Sequence, residues 1–243
     1  MGGFIVTPDS EEYAMGVSMN DILRYVQNNK KCKNKIIILD CCHSSAICEN
    51  NESCESSTIS EGLTILAACK SDEYSIEVNG HGIFTNLLIN ALSGEAANLK
   101  GQITPGSIYS YIDQALGMWE QRPVFKTNIT QFVPIRTVTP PISNFILQKI
   151  VDYFPDPDSE YRLNPSFEVT NSTEYEHSKI EPYAQEKNVD IFKNLQKLVS
   201  VGLVVPVEEE HMYYAAMNSK SCKLTSLGHH YWKLIDSKKM KEI

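Results

Sequence analysis

The sequence predicts an α/β fold, a mostly parallel sheet with flanking helices, followed by a small α+β module. Two apolar runs, "KIIILD" at 35–40 and "LTILAAC" at 63–69, have the composition of strands buried on both faces, as in parallel sheets. Amphipathic segments alternate with these runs, which is typical of layered α/β architecture. With 243 residues, 42% of them apolar, the chain is long enough for one large or two modest domains.

Three helices are predicted around this sheet. The first follows Ser18, which forms with Asp21 an acidic variant of a capping box, and its apolar residues share one face over about three turns. The second covers "IFTNLLINALSG" and ends at Gly94. The third begins after Thr104, the predicted N-cap, with Pro105 as its first residue.

A domain boundary is predicted at "TPPIS", which gives domains of residues 1–138 and 139–243. The last strand of the first domain is predicted in "QFVPIRTV", at an edge or a bulge because of Pro134. From about 186 to 243, a helix, two short strands flanking an acidic turn and a helix capped by Thr225 resemble a winged-helix module. From Ile142 on, 12 basic and 15 acidic side chains give a net charge of −3, so we expect no binding to nucleic acid.

Charge and cysteine content indicate a cytoplasmic protein. No apolar run approaches the roughly 20 residues that span a bilayer, and the N-terminus lacks the features of a signal peptide. The net charge of −8 argues against binding to nucleic acid or anionic membranes. Seven cysteines without an export signal favour reduced thiols. Cys41, Cys42, Cys48 and Cys54 cluster, but no C-x-x-C or H-x-x-x-H pattern completes a tetrahedral site, so we expect no metal and no other cofactor.

The segment "IIILDCCHSSA" at 36–46 places two cysteines just after a predicted strand. Open α/β folds carry their active sites at the carboxyl edge of the sheet, so one of these thiols could be a nucleophile. Free cysteines are also common as small buried apolar residues. On this segment alone, the second interpretation is favoured.

Two motifs in order resemble those of one family. "DCCHSS" resembles the D-x-C-H-S-G nucleophile motif of metacaspases and prokaryotic caspase homologues, with Ser45 in place of the glycine. "ACKSDEYSIEVNGHGIFTNLLINALSG" resembles the substrate-pocket loop and the helix that follow it. The resemblance to a caspase/metacaspase-like cysteine peptidase covers residues 1–136 and implies a caspase-like fold. It further implies that Cys42, rather than Cys41, attacks the peptide carbonyl to form a thioester.

The same resemblance implies a substrate pocket for basic side chains. Asp40 corresponds to the acid that metacaspases point into the pocket, and the loop "YSIE" contributes Ser75 and Glu77. Glu77 occupies the place of an arginine that in animal caspases binds a substrate aspartate. Two carboxylates suit a Lys or Arg before the scissile bond. The alternative is that Glu77 is a solvated loop charge, as most exposed glutamates are.

The catalytic histidine of the family lies in a "GHG" before the cysteine strand, whereas Gly80-His81-Gly82 follows that strand here. Residues 2–26 resemble the stretch that comes after the catalytic histidine, so that histidine and the N-terminal strands of the sheet are expected upstream of Met1. The expected partners are a polypeptide substrate and an upstream segment or partner chain that completes the sheet. Two functions remain open: a cysteine endopeptidase with a base supplied from elsewhere, or an inactive pseudo-peptidase acting as a protein-interaction module.

Overall fold

A computed structural model describes residues 4–6, 8–9, 16–40, 59–68, 77–78, 81–116, 122–176 and 179–237; for 77, 78 and 81 it describes the backbone only. The chain divides into two compact units, Met1–Pro140 and Pro141–Ile243. The division lies two residues beyond the predicted domain boundary. No helix of the described residues is both long enough and apolar enough to cross a membrane.

Among the described residues, the first unit is built around a three-stranded sheet of β3 (Lys35–Leu39), β4 (Leu63–Ala67) and β8 (Val124–Asn128), with β4 in the middle. Strands β3 and β4 are parallel, and β8 runs antiparallel to β4. This part of the sheet is mixed, and a mostly parallel arrangement stays a prediction. Its elements in chain order are β1 (Phe4–Ile5), β2 (Val17–Ser18), α1 (Met19–Asn28), β3 (Lys35–Leu39), β4 (Leu63–Ala67), β5 (Glu77–Val78), β6 (His81–Gly82), α2 (Ile83–Asn90), β7 (Gln102–Ile103), α3 (Pro105–Ala115), β8 (Val124–Asn128) and β9 (Arg136–Thr137).

Helices cover the two faces of this sheet. On one face, Leu63 and Ile65 of β4 and Ile37 of β3 pack with Met19 and Leu23 of α1. On the other face, Leu66 of β4 belongs to a core with residues of α2, α3 and β7. Strand β4 is buried along its whole length, as the sequence predicts. The members of the second core are Leu66, Ala68, Phe84, Ala91, Ala96, Ile103, Ile108 and Ile112.

Strand β3 differs from its prediction. Ile37 is buried, but Ile36 and Ile38 are 41% and 36% exposed. Within the described residues β3 pairs with β4 alone, and its other edge has no partner there. The apolar composition of "KIIILD" predicts a strand, but the burial of its second face depends on neighbours that the segment itself does not specify.

Helix ends follow the sequence signals in two cases and depart from them in one. The Thr104 side chain accepts a hydrogen bond from Ser107 N, and Ser107 Oγ accepts one from Thr104 N, which completes a capping box at α3. Gly94 has a non-helical φ of 142° and interrupts the helical backbone within the π-helical turn Ala91–Glu95, which follows α2. Ser18 is the N-cap residue of α1 but makes no side-chain capping bond, so the predicted capping box is wrong.

The sequence also misplaced one strand of the main sheet. The strand expected in "QFVPIRTV" is reduced to the two residues of β9, which pair with β7 outside the main sheet. The segment that pairs with β4 is "VFKTN" (Val124–Asn128), which was not predicted. Thr64 and Thr127 are opposite each other in this pairing, and their hydroxyl oxygens lie 2.8 Å apart.

The second unit contains an antiparallel sheet of order β10-β12-β11 with helices before and after its strands. Thr225 caps the last helix by accepting from Gly228 N, as predicted. A helix, α7, lies in the connection that the sequence predicts as an acidic turn only. The winged-helix resemblance stays a prediction. The elements are α4 (Asn144–Gln148), α5 (Ile150–Tyr153), β10 (Glu160–Arg162), α6 (Glu186–Ser200), β11 (Val204–Val207), α7 (Met212–Met217), β12 (Ser221–Leu224) and α8 (Ser226–Asp236).

Candidate active site

The carboxyl ends of β3 and β4 lie side by side at one edge of the first unit's sheet. Because the strands are parallel, this edge is set by their register, Leu39 opposite Ala67, and by the bond from Ala68 N to Leu39 O at 2.9 Å. Asp40 follows β3 at this edge and is exposed. Cys42, the predicted nucleophile, is two residues further along the chain. It lies outside the described residues, as do Cys41, Ser45 and the predicted pocket residue Ser75.

The Asp40 carboxylate contacts the beginning of α2. The Thr85 hydroxyl donates a hydrogen bond to Asp40 Oδ2. A Cβ atom at Gly82 would lie 2.9 Å from the same oxygen, closer than real Cβ atoms come to other groups. Gly82 is the N-cap residue of α2, and a negative charge next to the first turn of a helix is favoured by the helix dipole. The Asp40 side chain is therefore held by one hydrogen bond, and its carboxylate occupies the space that a side chain at 82 would need.

The pairing of β5 with β6 brings the backbone of Glu77 next to Gly82. In the antiparallel pairing of β5 and β6, Glu77 is opposite Gly82 and Val78 is opposite His81. Directly opposite residues have Cα atoms about 4.5–5.5 Å apart. The backbone at Glu77 is thus the cross-strand neighbour of the glycine on which the Asp40 carboxylate rests. The roles of Asp40, Glu77, Ser75 and Cys42 stay predictions.

Sequence reasoning missed Gly82 and Thr85 as neighbours of Asp40. Both belong to the segment "GHGIFT", which was singled out for its histidine and for the start of a helix. A glycine between a histidine and a helix start was the available signal, because glycine often allows a close approach of other groups to the backbone.

The histidines whose side chains the structure describes do not identify a catalytic base. Those with described side chains are His211, His229 and His230, all in the second unit. His229 Nδ1 lies 3.8 Å from Asp158 Oδ1, and His211 is the N-cap residue of α7. Among the residues with described side chains, no group of three or more His, Cys, Asp or Glu could hold a metal ion.

Comparison with known families decides the identity of the first unit. The sequence model of the family described as the caspase domain matches residues 8–134, which is more than half of the chain. The chain belongs to the caspase-domain family. No curated protein and no solved structure matches it. The caspase-domain family is one of cysteine peptidases, and the match contains both motifs described above and all of the main sheet.

Proposed function

We propose that the caspase domain of this chain is the cysteine-bearing part of an endopeptidase that cleaves after Lys or Arg, with Cys42 as its nucleophile. The observation that carries the proposal is the Asp40 carboxylate, held by Thr85 at the carboxyl edge of the sheet two residues before Cys42. A carboxylate in that position is suited to pair with the cationic side chain of a substrate. The pairing of Glu77 with Gly82 supports a second carboxylate at the same pocket.

The chemistry follows from a thiol next to such a pocket. The Cys42 thiol gives its proton to a base, and the sulfur attacks the carbonyl carbon of the peptide bond. The amine leaves with a proton, and water hydrolyses the resulting thioester. A free thiol with a pKa of about 8.5 is only a few per cent ionised at neutral pH, so an imidazole base is needed for fast turnover. We propose that an upstream segment or a partner chain supplies it and pairs with the edge of β3 that has no partner among the described residues.

The second unit is proposed to act as a winged-helix-like module for protein contact. Its net charge of −3 from Ile142 onward does not favour phosphate binding. The exposed Tyr213 and Tyr214 of α7 lie with ring centroids 5.3 Å apart and provide an aromatic surface that a protein partner could bury.

Hydrolysis of peptide reporters tests the first proposal. Arginyl and lysyl reporters should be cleaved in preference to an aspartyl reporter, because two carboxylates repel an aspartate. Turnover by the chain alone should be slow, should rise when free imidazole is added, and should be absent in the variant Cys42→Ala. Preferred cleavage of the aspartyl reporter would contradict the pocket assignment.

Two further outcomes separate the alternatives. A thiol-reactive arginyl peptide that labels Cys42 supports the peptidase, whereas no labelling of the folded chain indicates a pseudo-peptidase used for protein interaction. Fast turnover without added imidazole would show that the chain contains its own base. The variant His81→Ala is then the first to measure, because His81 directly precedes Gly82.

A further inference from the structure

A cleft of about 590 Å³ opens at the end of the first unit's sheet opposite to Asp40. It lies where β3 and β4 begin and β8 ends. Strand β3 runs from Lys35, in the cleft, to Leu39, next to Asp40. Five residues of extended chain measure about 17 Å, so a ligand in this cleft would not touch a peptide bound at Asp40.

The cleft is basic in an acidic protein. Lys30, Lys33 and Lys35 line it, and Glu61 is the single carboxylate among those lining residues that the structure describes. Within the part of the chain that the structure describes, no carboxylate lies within 4.0 Å of these three ammonium groups. The whole chain has 30 acidic and 22 basic side chains, so unpaired lysines at one cleft are not a consequence of composition. A bound anion would relieve the repulsion among the three ammonium groups.

The backbone around the cleft is held in place without a ligand. Asn29 Oδ1 accepts hydrogen bonds from Lys31 N and Cys32 N, both at 3.2 Å. Lys35 N donates to Gly62 O at 2.8 Å, and Gly62 N donates to Asn128 O at 2.7 Å. Gly62 has φ of +81°, and a Cβ atom there would lie 2.1 Å from Lys33 O. The segment that carries the lysines is thus fixed next to the residue that precedes β4.

The wall of the cleft also contains a polar atom for which the described structure shows no partner. Ser60 lines the cleft, and its Oγ is inaccessible to solvent and makes no hydrogen bond in the described structure. A rotation of the hydroxyl toward a ligand would satisfy it, and unsatisfied buried polar atoms are costly.

We propose that this cleft binds the di- or triphosphate group of a small molecule. Lysine ammonium groups bind phosphate through charge-assisted hydrogen bonds. Because the lining has three lysines and one glutamate, it favours a ligand with several negative charges over a single carboxylate. The volume lies within the range of about 300–1,000 Å³ that small-molecule sites have. Ile129 and Val133 add an apolar wall, against which the rest of a nucleotide could pack.

Titration calorimetry of the full chain with ATP and with inorganic triphosphate tests the proposal. The double variant Lys30→Glu, Lys33→Glu should weaken binding roughly tenfold or more, because two attractive charges become repulsive. The matched control is Lys187→Glu, Lys197→Glu, with the same change in net charge at exposed positions of α6. It should bind as the wild type does. Equal losses in both variants, or no saturation of the wild type at millimolar ligand, would overturn the proposal.

The two ligands distinguish the sources of the phosphate group. Equal affinities show that the phosphate chain alone is recognised, and tighter binding of ATP shows that the nucleoside adds contacts. Cys32 locates the site, because its thiol is exposed and the residue lines the cleft. Triphosphate should slow alkylation of Cys32 in the wild type, measured by peptide mass spectrometry, and should not slow it in the Lys30, Lys33 double variant. Calorimetric binding without protection of Cys32 would contradict this location.

Discussion

At the scale of single residues, Gly82 shows that a glycine can be required for space rather than for its backbone conformation. Its φ of −61° and ψ of 139° are open to any residue. What excludes a side chain is the Asp40 carboxylate, 2.9 Å from the position of a Cβ atom. An alanine would make the carboxylate shift, and the oxygen that shifts is the one that accepts the hydrogen bond from the Thr85 hydroxyl. The proposed pocket therefore depends on a residue that has no side chain.

We expect Gly82→Ala to slow the labelling of Cys42 by an arginyl peptide probe about tenfold, because shifts near 1 Å in a positioning group cost rates of this order or more. Thr85→Val, which removes the hydroxyl and keeps the shape, should give a smaller loss. Thr137→Val, at an exposed position of β9, is the control and should label as the wild type does. Unchanged labelling of Gly82→Ala would show that the Asp40 contact has no part in binding.

Cys222 offers a second prediction at this scale. It lies in β12, fully buried, and is opposite Tyr161 in the pairing with β10. Burial, with a smaller contribution from the Glu160 carboxylate, raises the pKa of its thiol from 9.0 to about 12. The folded state thus holds the proton more tightly than the unfolded state does. The contribution to stability is complete below pH 9 and is lost as the pH rises from 9 to 12, by about 1.4 kcal/mol per pH unit.

Urea unfolding at several alkaline pH values measures this effect. Burial also raises the pKa of Tyr161, so the quantity to compare is the difference between the wild type and Cys222→Ala. The variant loses stability at all pH values because of a small cavity, but its free energy of unfolding should fall less steeply above pH 9. Parallel curves for the two proteins would contradict the assignment.

At the scale of elements, β3 and β8 show where sequence patterns stop being informative. The apolar run of β3 and the capping residues of α3 and α8 are local signals, and the structure has all three elements. Strand β8 has the sequence "VFKTN", in which only the first two residues are apolar, and it is a strand because it pairs with β4. The exposure of Ile36 and Ile38 likewise depends on which helices cover the sheet.

Strand β3 should promote self-association. Its second edge has no partner among the described residues, and Ile36 and Ile38 expose apolar surface beside it. Such edges pair with other chains unless a charge prevents it. Sedimentation velocity of the isolated chain should show oligomers that Ile38→Lys reduces. Ile89→Lys, the same change at an exposed position of α2, should leave them unchanged. A monomeric wild type at high concentration would refute this.

At the scale of the whole molecule, the sequence predicted the family from two ordered motifs, and the α/β class of the first unit from apolar runs that alternate with amphipathic segments. It could not predict the contacts of Asp40 with Gly82 and Thr85, because these join segments more than 40 residues apart. For the second unit the sequence predicted helices and strands but missed α7, since the glutamates before it suggested a turn.

The division at Pro140 has a consequence for cooperativity. Each unit has its own buried core, so the chain should not melt as a single two-state system. Differential scanning calorimetry should give two overlapping transitions, with a van't Hoff enthalpy below the calorimetric one. Ile112→Ala and Leu195→Ala, each at a fully buried position in a different unit, should each shift one transition. If both substitutions shifted one common transition, the two units would unfold as one.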